Sequence, residues 1–131
     1  MNPNASARVL GIGLDLVEVE RFDAVLTRQG ERFITRVFTE NEQLYCRAKS
    51  NAAMFYAARF AAKEAVAKAF GTGIGAALGW LDIEIVHGPR GEPLVKLLGK
   101  AQELAIQRGV HEVLVSLTHT SATAGASVIL Q

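Results

Sequence analysis

Two carboxylates, a lysine and one polar segment are the residues of this chain best suited to chemistry. Asp15 stands in Gly11-Ile12-Gly13-Leu14-Asp15-Leu16-Val17-Glu18, an acid inside an apolar run. A strand interior disfavours Asp, and a buried carboxylate is costly unless it is paired or bound to a cation. Glycines at 11 and 13 leave room for another backbone or for a ligand. The plainer reading makes Asp15 an edge-strand residue in solvent or a cap for the next helix. With no third glycine in place, the run is not a dinucleotide-binding fingerprint.

Glu64 stands in the longest helical stretch. At helical spacing Met54, Phe55, Ala58, Ala62, Ala65, Val66 and Ala69 share one broad face, and Glu64 lies nearly opposite its centre. Lys68 is one turn on, and Lys63 and Phe60 flank the position. The plain account is an i,i+4 pair on a solvated face, worth a few tenths of a kcal/mol. The sharper account notes that Ala57, Ala61 and Ala67 leave room around Glu64. It also notes that the helix runs into Gly71-Thr72-Gly73-Ile74-Gly75. Such a loop can present backbone N–H groups to phosphates, and a simple hinge explains it equally well.

Ser116-Leu117-Thr118-His119-Thr120-Ser121 places hydroxyls and an imidazole at a strand end, where they can bind a substrate or simply stabilise a turn. No serine lies in a Gly-x-Ser-x-Gly elbow, which argues against a hydrolase triad. His87 and His111 read as surface or turn residues, and three scattered histidines form no zinc pattern. Arg21, Arg28, Arg32 and Arg36 would share a face if helix persisted past Gly30. They make either a solvated face or a docking surface for an acidic partner.

These residues need a scaffold. Residues 8–17 read as a strand, and residues 18–30 as a helix stopped by Gly30. A short helix over 32–37 follows. Thr39-Glu40-Asn41-Glu42 is a capping box opening a helix to about Lys49. The long helix spans 51–70, capped by Asn51 and closed by Gly71. Residues 81–87 and 94–98 form a hairpin around the turn-dense segment 88–93. A helix over 101–108 and strands over 112–118 and 124–130 complete the chain. The order predicts an α+β domain with a mostly antiparallel sheet and a long central helix. One domain over 8–131 is expected, after an N-terminal extension of residues 1–7.

A net charge of +1 gives no general reason to expect nucleic acid. The single cysteine, Cys46, cannot close an internal disulfide and suits a reducing compartment. Residues 1–7 lack the apolar core of a signal peptide, and no apolar run is long enough to cross a bilayer. A cytoplasmic protein is therefore expected.

Three motifs, in order and at matching spacing, resemble the bacterial holo-[acyl-carrier-protein] synthase family of 4′-phosphopantetheinyl transferases. They are Gly11-Ile12-Gly13-Leu14-Asp15 with Val17-Glu18, Arg59-Phe60-Ala61-Ala62-Lys63-Glu64-Ala65 through Lys68 into Gly71–Gly75, and Ser116-Leu117-Thr118-His119-Thr120. The family usually carries Ile or Val where Leu117 stands. The resemblance implies a homotrimer with coenzyme A bound between subunits, serving fatty acid biosynthesis. It implies Asp15 and Glu64 as Mg²⁺ ligands, with Glu64, Asp15 and Lys68 in the catalytic set. Lys63, Lys68, Gly71, His119 and Thr120 would bind coenzyme A. Arg21 and Arg28 would dock acyl carrier protein, with Arg32 and Arg36 beside them. Glu64, through a metal-bound water, is the first candidate for the base that takes the carrier serine's proton, and Asp15 the second. Two other readings share these residues: an Mg²⁺-dependent pyrophosphate hydrolase, and a non-catalytic trimeric binding module with both acids in structural ion pairs.

Overall fold

The computed structural model describes residues 8–131, so the extension 1–7 lies outside the described residues. The chain runs β1 (Gly11–Glu18), α1 (Val19–Gln29), α2 (Glu31–Val37), α3 (Glu40–Arg47) and α4 (Ala52–Phe70). A short 3₁₀ turn (Trp80–Asp82) follows, then β2 (Ile83–His87), β3 (Pro93–Leu97), α5 (Gly99–Gln107), β4 (Val113–His119) and β5 (Thr123–Leu130). Element order and type match the sequence reading. All pairings are antiparallel, but the strands divide into a three-stranded sheet ordered β1-β5-β4 and a separate β2-β3 hairpin.

Helix α4 lies across one face of the three-stranded sheet, and two glycines let it do so. A Cβ at Gly11 or Gly13 would drive into the backbone carbonyl of Ala69 or Ala65 respectively. The space these glycines leave is therefore taken by helix backbone rather than by a ligand. Their neighbour on the same face is Asp15, whose register partner is Ala126 on β5. Period-two alternation sends Ile12, Leu14 and Leu16 to the other face, where they are 72%, 62% and 68% exposed.

Helix α4 departs from the amphipathic expectation. It is covered on nearly every side, and Ala57, Ala61 and Ala67 are fully buried. Those alanines admit neighbouring elements and do not open space around Glu64. One cluster, including Ala61, Val66, Ile83 and Val128, packs the helix on the sheet and hairpin. A second, including Phe22, Phe33, Phe38 and Tyr56, packs it on α1, α2 and α3. Asn51 precedes α4 without a side-chain capping bond, so the expected cap is absent. At the other end Gly71, with φ of 77°, closes the helix through its N–H to Ala67 and Lys68 carbonyls. Gly30, with φ of 59°, separates α1 from α2 as expected.

The capping box at α3 forms and is extended. The Glu42 carboxylate accepts from Thr39 N–H at 2.8 Å and from Ile85 N–H on β2 at 2.8 Å. A residue that would ordinarily finish one helix also ties that helix to the hairpin.

Candidate active site

The junction of β1, α1 and α4 forms an open cleft of about 560 Å³. Asp15, Glu64 and Lys68 lie on one side, with Phe22, Phe33 and Phe60 forming an apolar wall and Arg21 at the rim. The β1 pleat aims Asp15 inward, and the contact of Gly13 with the Ala65 carbonyl seats α4 beside it. Lys68 Nζ is 2.8 Å from Asp15 Oδ1 and donates to the Leu14 carbonyl at 3.1 Å. The anticipated Glu64–Lys68 ion pair does not form; the lysine crosses to the strand instead.

Glu64 makes no hydrogen bond or ion pair among the described residues. Partial burial and the negative charge of Asp15 push its carboxyl upward, and Lys68 opposes both. The hydrogen bond to Asp15 holds the Lys68 ammonium above the usual lysine value. The cleft therefore holds two carboxylates and one half-exposed cation, Lys68. No group of three or more His, Cys, Asp or Glu among the described residues is placed to hold a metal. A metal at Asp15 and Glu64 must take most of its ligands from water or from a bound phosphate. That donor set fits Mg²⁺, which is held by one or two carboxylates plus substrate oxygens.

Lys63 is a correction. It does not face the cleft, so it does not reach a phosphate there. Its side chain is fully buried, with Nζ 2.7 Å from Glu42 and donating to the Val37 and Trp80 carbonyls at 2.7 and 3.0 Å. Consecutive helical residues diverge by about 100° around the axis, which sends Lys63 into the core and leaves Glu64 at the cleft. The glycine loop also differs from expectation. The N–H groups of Gly71, Thr72 and Gly73 are bonded to the Lys68 and Ala67 carbonyls and terminate α4, and that of Gly75 is bonded to the Leu78 carbonyl, so these four form no phosphate cradle.

Arg28, Arg32 and Arg36 converge on one groove of about 510 Å³ despite the break at Gly30, while Arg21 belongs to the cleft. His119 ends β4 at the opposite edge of the sheet from β1. It lines a separate hollow of about 170 Å³ with Tyr45, Arg59, His87 and Pro93. Thr120 uses its hydroxyl oxygen to accept from Ala122 and Thr123 N–H, which shapes the β4–β5 turn.

The hollow contains groups that the sequence reading passed over. Buried Arg59 donates to His87 Nε2 at 2.8 Å and lies 4.3 Å over the Tyr45 ring. Its Nε is buried without a partner among the described residues. Burial and the charges of Arg59 and Lys49 lower the pKa of His87, which keeps its ring neutral and able to accept. An arginine between Ala58 and Phe60 in an alanine-rich helix was the available signal. His87 offered none until the hairpin brought it alongside.

The fold and site define a small α+β protein with a carboxylate pair poised beside a lysine, an arrangement suited to phosphate chemistry. The chain belongs to the 4′-phosphopantetheinyl transferase superfamily, whose family model matches residues 11–126. It is 49% identical over 121 residues to the holo-[acyl-carrier-protein] synthase of Desulforudis audaxviator, covering 92% of each chain. The crystal structure of the Neisseria meningitidis synthase superposes with a TM-score of 0.89 at 31% identity, covering 95% of this chain and 99% of that one. The Helicobacter pylori synthase, solved in complex with coenzyme A, superposes with a TM-score of 0.82 at 31% identity, covering 92% and 99%.

Proposed function

We propose that this chain transfers 4′-phosphopantetheine from coenzyme A to a serine of apo acyl carrier protein. The products are holo carrier protein and adenosine 3′,5′-bisphosphate. The observation that carries the reading is the meeting of Asp15, Glu64 and Lys68 in one cleft, in a chain so similar to enzymes of that name. Asp15 and Glu64 would hold Mg²⁺ with the pyrophosphate of coenzyme A. The metal, when bound, supplies charge neutralisation at phosphorus. Lys68, half exposed and anchored only to Asp15 and the Leu14 carbonyl, turns toward a phosphate oxygen. Glu64 is the first candidate for the base that takes the serine proton. Asp15 is the second candidate. The serine oxygen then bonds to the β-phosphorus as the bond to the leaving bisphosphate breaks.

Two surfaces support the rest of the reading. The Arg28, Arg32 and Arg36 groove, with Arg21 at the cleft rim, offers positive charge to an acidic helix of the carrier protein. The apolar outer face of β1 gives a reason for trimer formation, with coenzyme A placed across the seam between subunits. In that assembly the hollow of Arg59, His87 and His119 receives the nucleotide end. Thr120 serves by shaping the turn beside it. No helix among the described residues is long and apolar enough to cross a membrane. The reading places the enzyme in the cytoplasm, in fatty acid biosynthesis, as a single domain over 8–131.

The deciding experiment incubates the protein with coenzyme A, Mg²⁺ and apo acyl carrier protein, and weighs the carrier by mass spectrometry. A phosphopantetheine mass gain is expected, and omission of Mg²⁺ should abolish it. Nucleotide release without carrier modification would indicate a pyrophosphate hydrolase. No change with folded protein would indicate a binding module.

A further inference from the structure

Beside the cleft, and unused by the chemistry just described, lies a fully buried ion pair. Lys63 and Glu42 are 2.7 Å apart with both side chains out of solvent. Every polar arm of the pair is occupied. Lys63 donates to the carbonyl of Val37, which ends α2, and to the carbonyl of Trp80 in the 3₁₀ turn. Glu42 accepts from Thr39 N–H at the start of α3 and from Ile85 N–H on β2. Four segments are thereby pinned to a single position on α4.

Stability alone does not account for such a device. Removing two charges from water is expensive, and well-packed apolar replacements of a buried pair are often neutral or stabilising. What this pair supplies is direction. Each successive residue turns about 100° around a helix axis, so fixing the azimuth of Lys63 fixes that of Glu64. Glu64 has no partner of its own among the described residues to hold it. On the opposite side of α4, Gly11 and Gly13 set how closely the helix approaches β1. They meet the main-chain carbonyls of Ala65 and Ala69. Phe60, one turn before Glu64, is stacked on Trp80 at 4.9 Å. Because Lys63 holds the Trp80 carbonyl, the same knot seats the apolar wall of the cleft.

We infer that the Glu42–Lys63 pair is a positioning device that sets the rotation of α4 and so aims Glu64 at Asp15 across the cleft. It touches no substrate. The inference rests on the reading of Glu64 as a catalytic residue of the transferase.

The test is a thermodynamic cycle on kcat. The double variant Glu42→Gln/Lys63→Met removes both charges together and leaves neither stranded in the core. It should unfold cooperatively and keep KM for coenzyme A within about threefold, while kcat falls at least tenfold, as expected for loss of an interaction felt in the transition state. Glu64→Gln is then made alone and in that background. If the pair acts through Glu64, the two losses do not add, and removing the pair changes kcat by less than about threefold once Glu64 is already Gln. Additive losses overturn the inference, because the pair would then be acting elsewhere. Glu42→Asp retains both charges and shortens one arm. It should show the same non-additive pattern at smaller amplitude, which keeps the test usable if the double variant does not fold. If Glu64→Gln alone leaves kcat intact, the reading of Glu64 fails whatever the pair does, so the two failures are distinct.

Discussion

Gly13→Ala is the sharpest test of how the site is assembled. A methyl group at this position would sit 2.9 Å from the Ala69 nitrogen and the Ala65 carbonyl carbon, and nearer still to the Ala65 oxygen. None of these is a flexible side-chain end; all belong to the backbone of α4. Relief therefore requires β1 and the helix to separate by about 1 Å. Overpacking of this kind costs typically 1–3 kcal/mol, and a clash with rigid main chain belongs at about the upper figure. For a domain of this size roughly 3 kcal/mol lowers Tm by about 10 °C. The separation also falls where it matters, since Gly13 is two residues from Asp15 and Ala65 is next to Glu64. Turnover should therefore fall even at temperatures where the variant is fully folded. The control is Gly75→Ala, whose added methyl meets nothing within 4 Å and whose φ is not positive. It should leave Tm within about 2 °C of the parent, as surface changes of about 0.5 kcal/mol do. Calorimetry on both variants with single-turnover rates at 20 °C (an arbitrary safe temperature) decides the matter. A Gly13→Ala protein with parental Tm and rate would refute the claim that glycine is needed for this approach.

Three further outcomes follow from the geometry. Glu64→Gln should lower kcat by about 10²–10⁴-fold, the usual range for a general base, with Tm kept or slightly raised. The sign of the stability effect comes from the raised carboxyl. Its contribution to stability is present in full below the ordinary glutamate value of 4.5 and is lost as pH rises through the raised value, so at pH 7 the ionised group opposes folding. A urea midpoint that falls on this substitution at neutral pH would contradict that account. Arg21→Glu/Arg28→Glu should raise KM for the carrier protein about tenfold or more and flatten its salt dependence, with coenzyme A binding by calorimetry unchanged. Equal loss of both would indicate misfolding. Leu14→Asp/Leu16→Asp, on the outer face of β1, should yield a monomer by analytical ultracentrifugation with weakened coenzyme A binding; a trimer of full affinity would place the interface elsewhere.

Much of the scaffold was legible because its punctuation is local. The Thr39–Glu42 box, the αL glycine after Phe70 and the turn residues between β2 and β3 each act within a few positions, so their physics is visible in the sequence. Asp15 could be singled out as an acid inside an apolar strand, where an acid is costly, whereas Glu64 lay on the polar side of its helix and was marked by the motif around it. What periodicity could not convey was what covers each face. Lys63 and Lys68 are both lysines near Glu64, yet one is in the core and the other in the cleft. The difference depends on α2, α3 and the hairpin closing over one side of α4. The room left by Gly11 and Gly13 was apparent, but its occupant, a helix more than fifty residues away, was not. The amides of Gly71, Thr72 and Gly73 were spent on closing α4, an outcome set by the positive φ at Gly71 and Gly73. Arg59 figured only as part of a motif and His87 only as a surface or turn residue, because their pairing depends on a hairpin coming alongside a helix.

The place of β5 in the sheet has a consequence for synthesis. It is the middle strand, bonded to β1 on one side and β4 on the other, yet it is the last of the three to be made. At about 10 residues per second on the ribosome, β1 waits roughly 10 s for its only strand neighbour. Through that interval Ile12, Leu14 and Leu16 are exposed on one side and unpaired N–H and C=O groups run along the edge. Helix α4 is complete by Phe70 and can cover the other side early through the two glycines. The nascent chain thus carries an open, apolar edge until β5 arrives, and its yield in a cell will follow how well that edge is shielded until then.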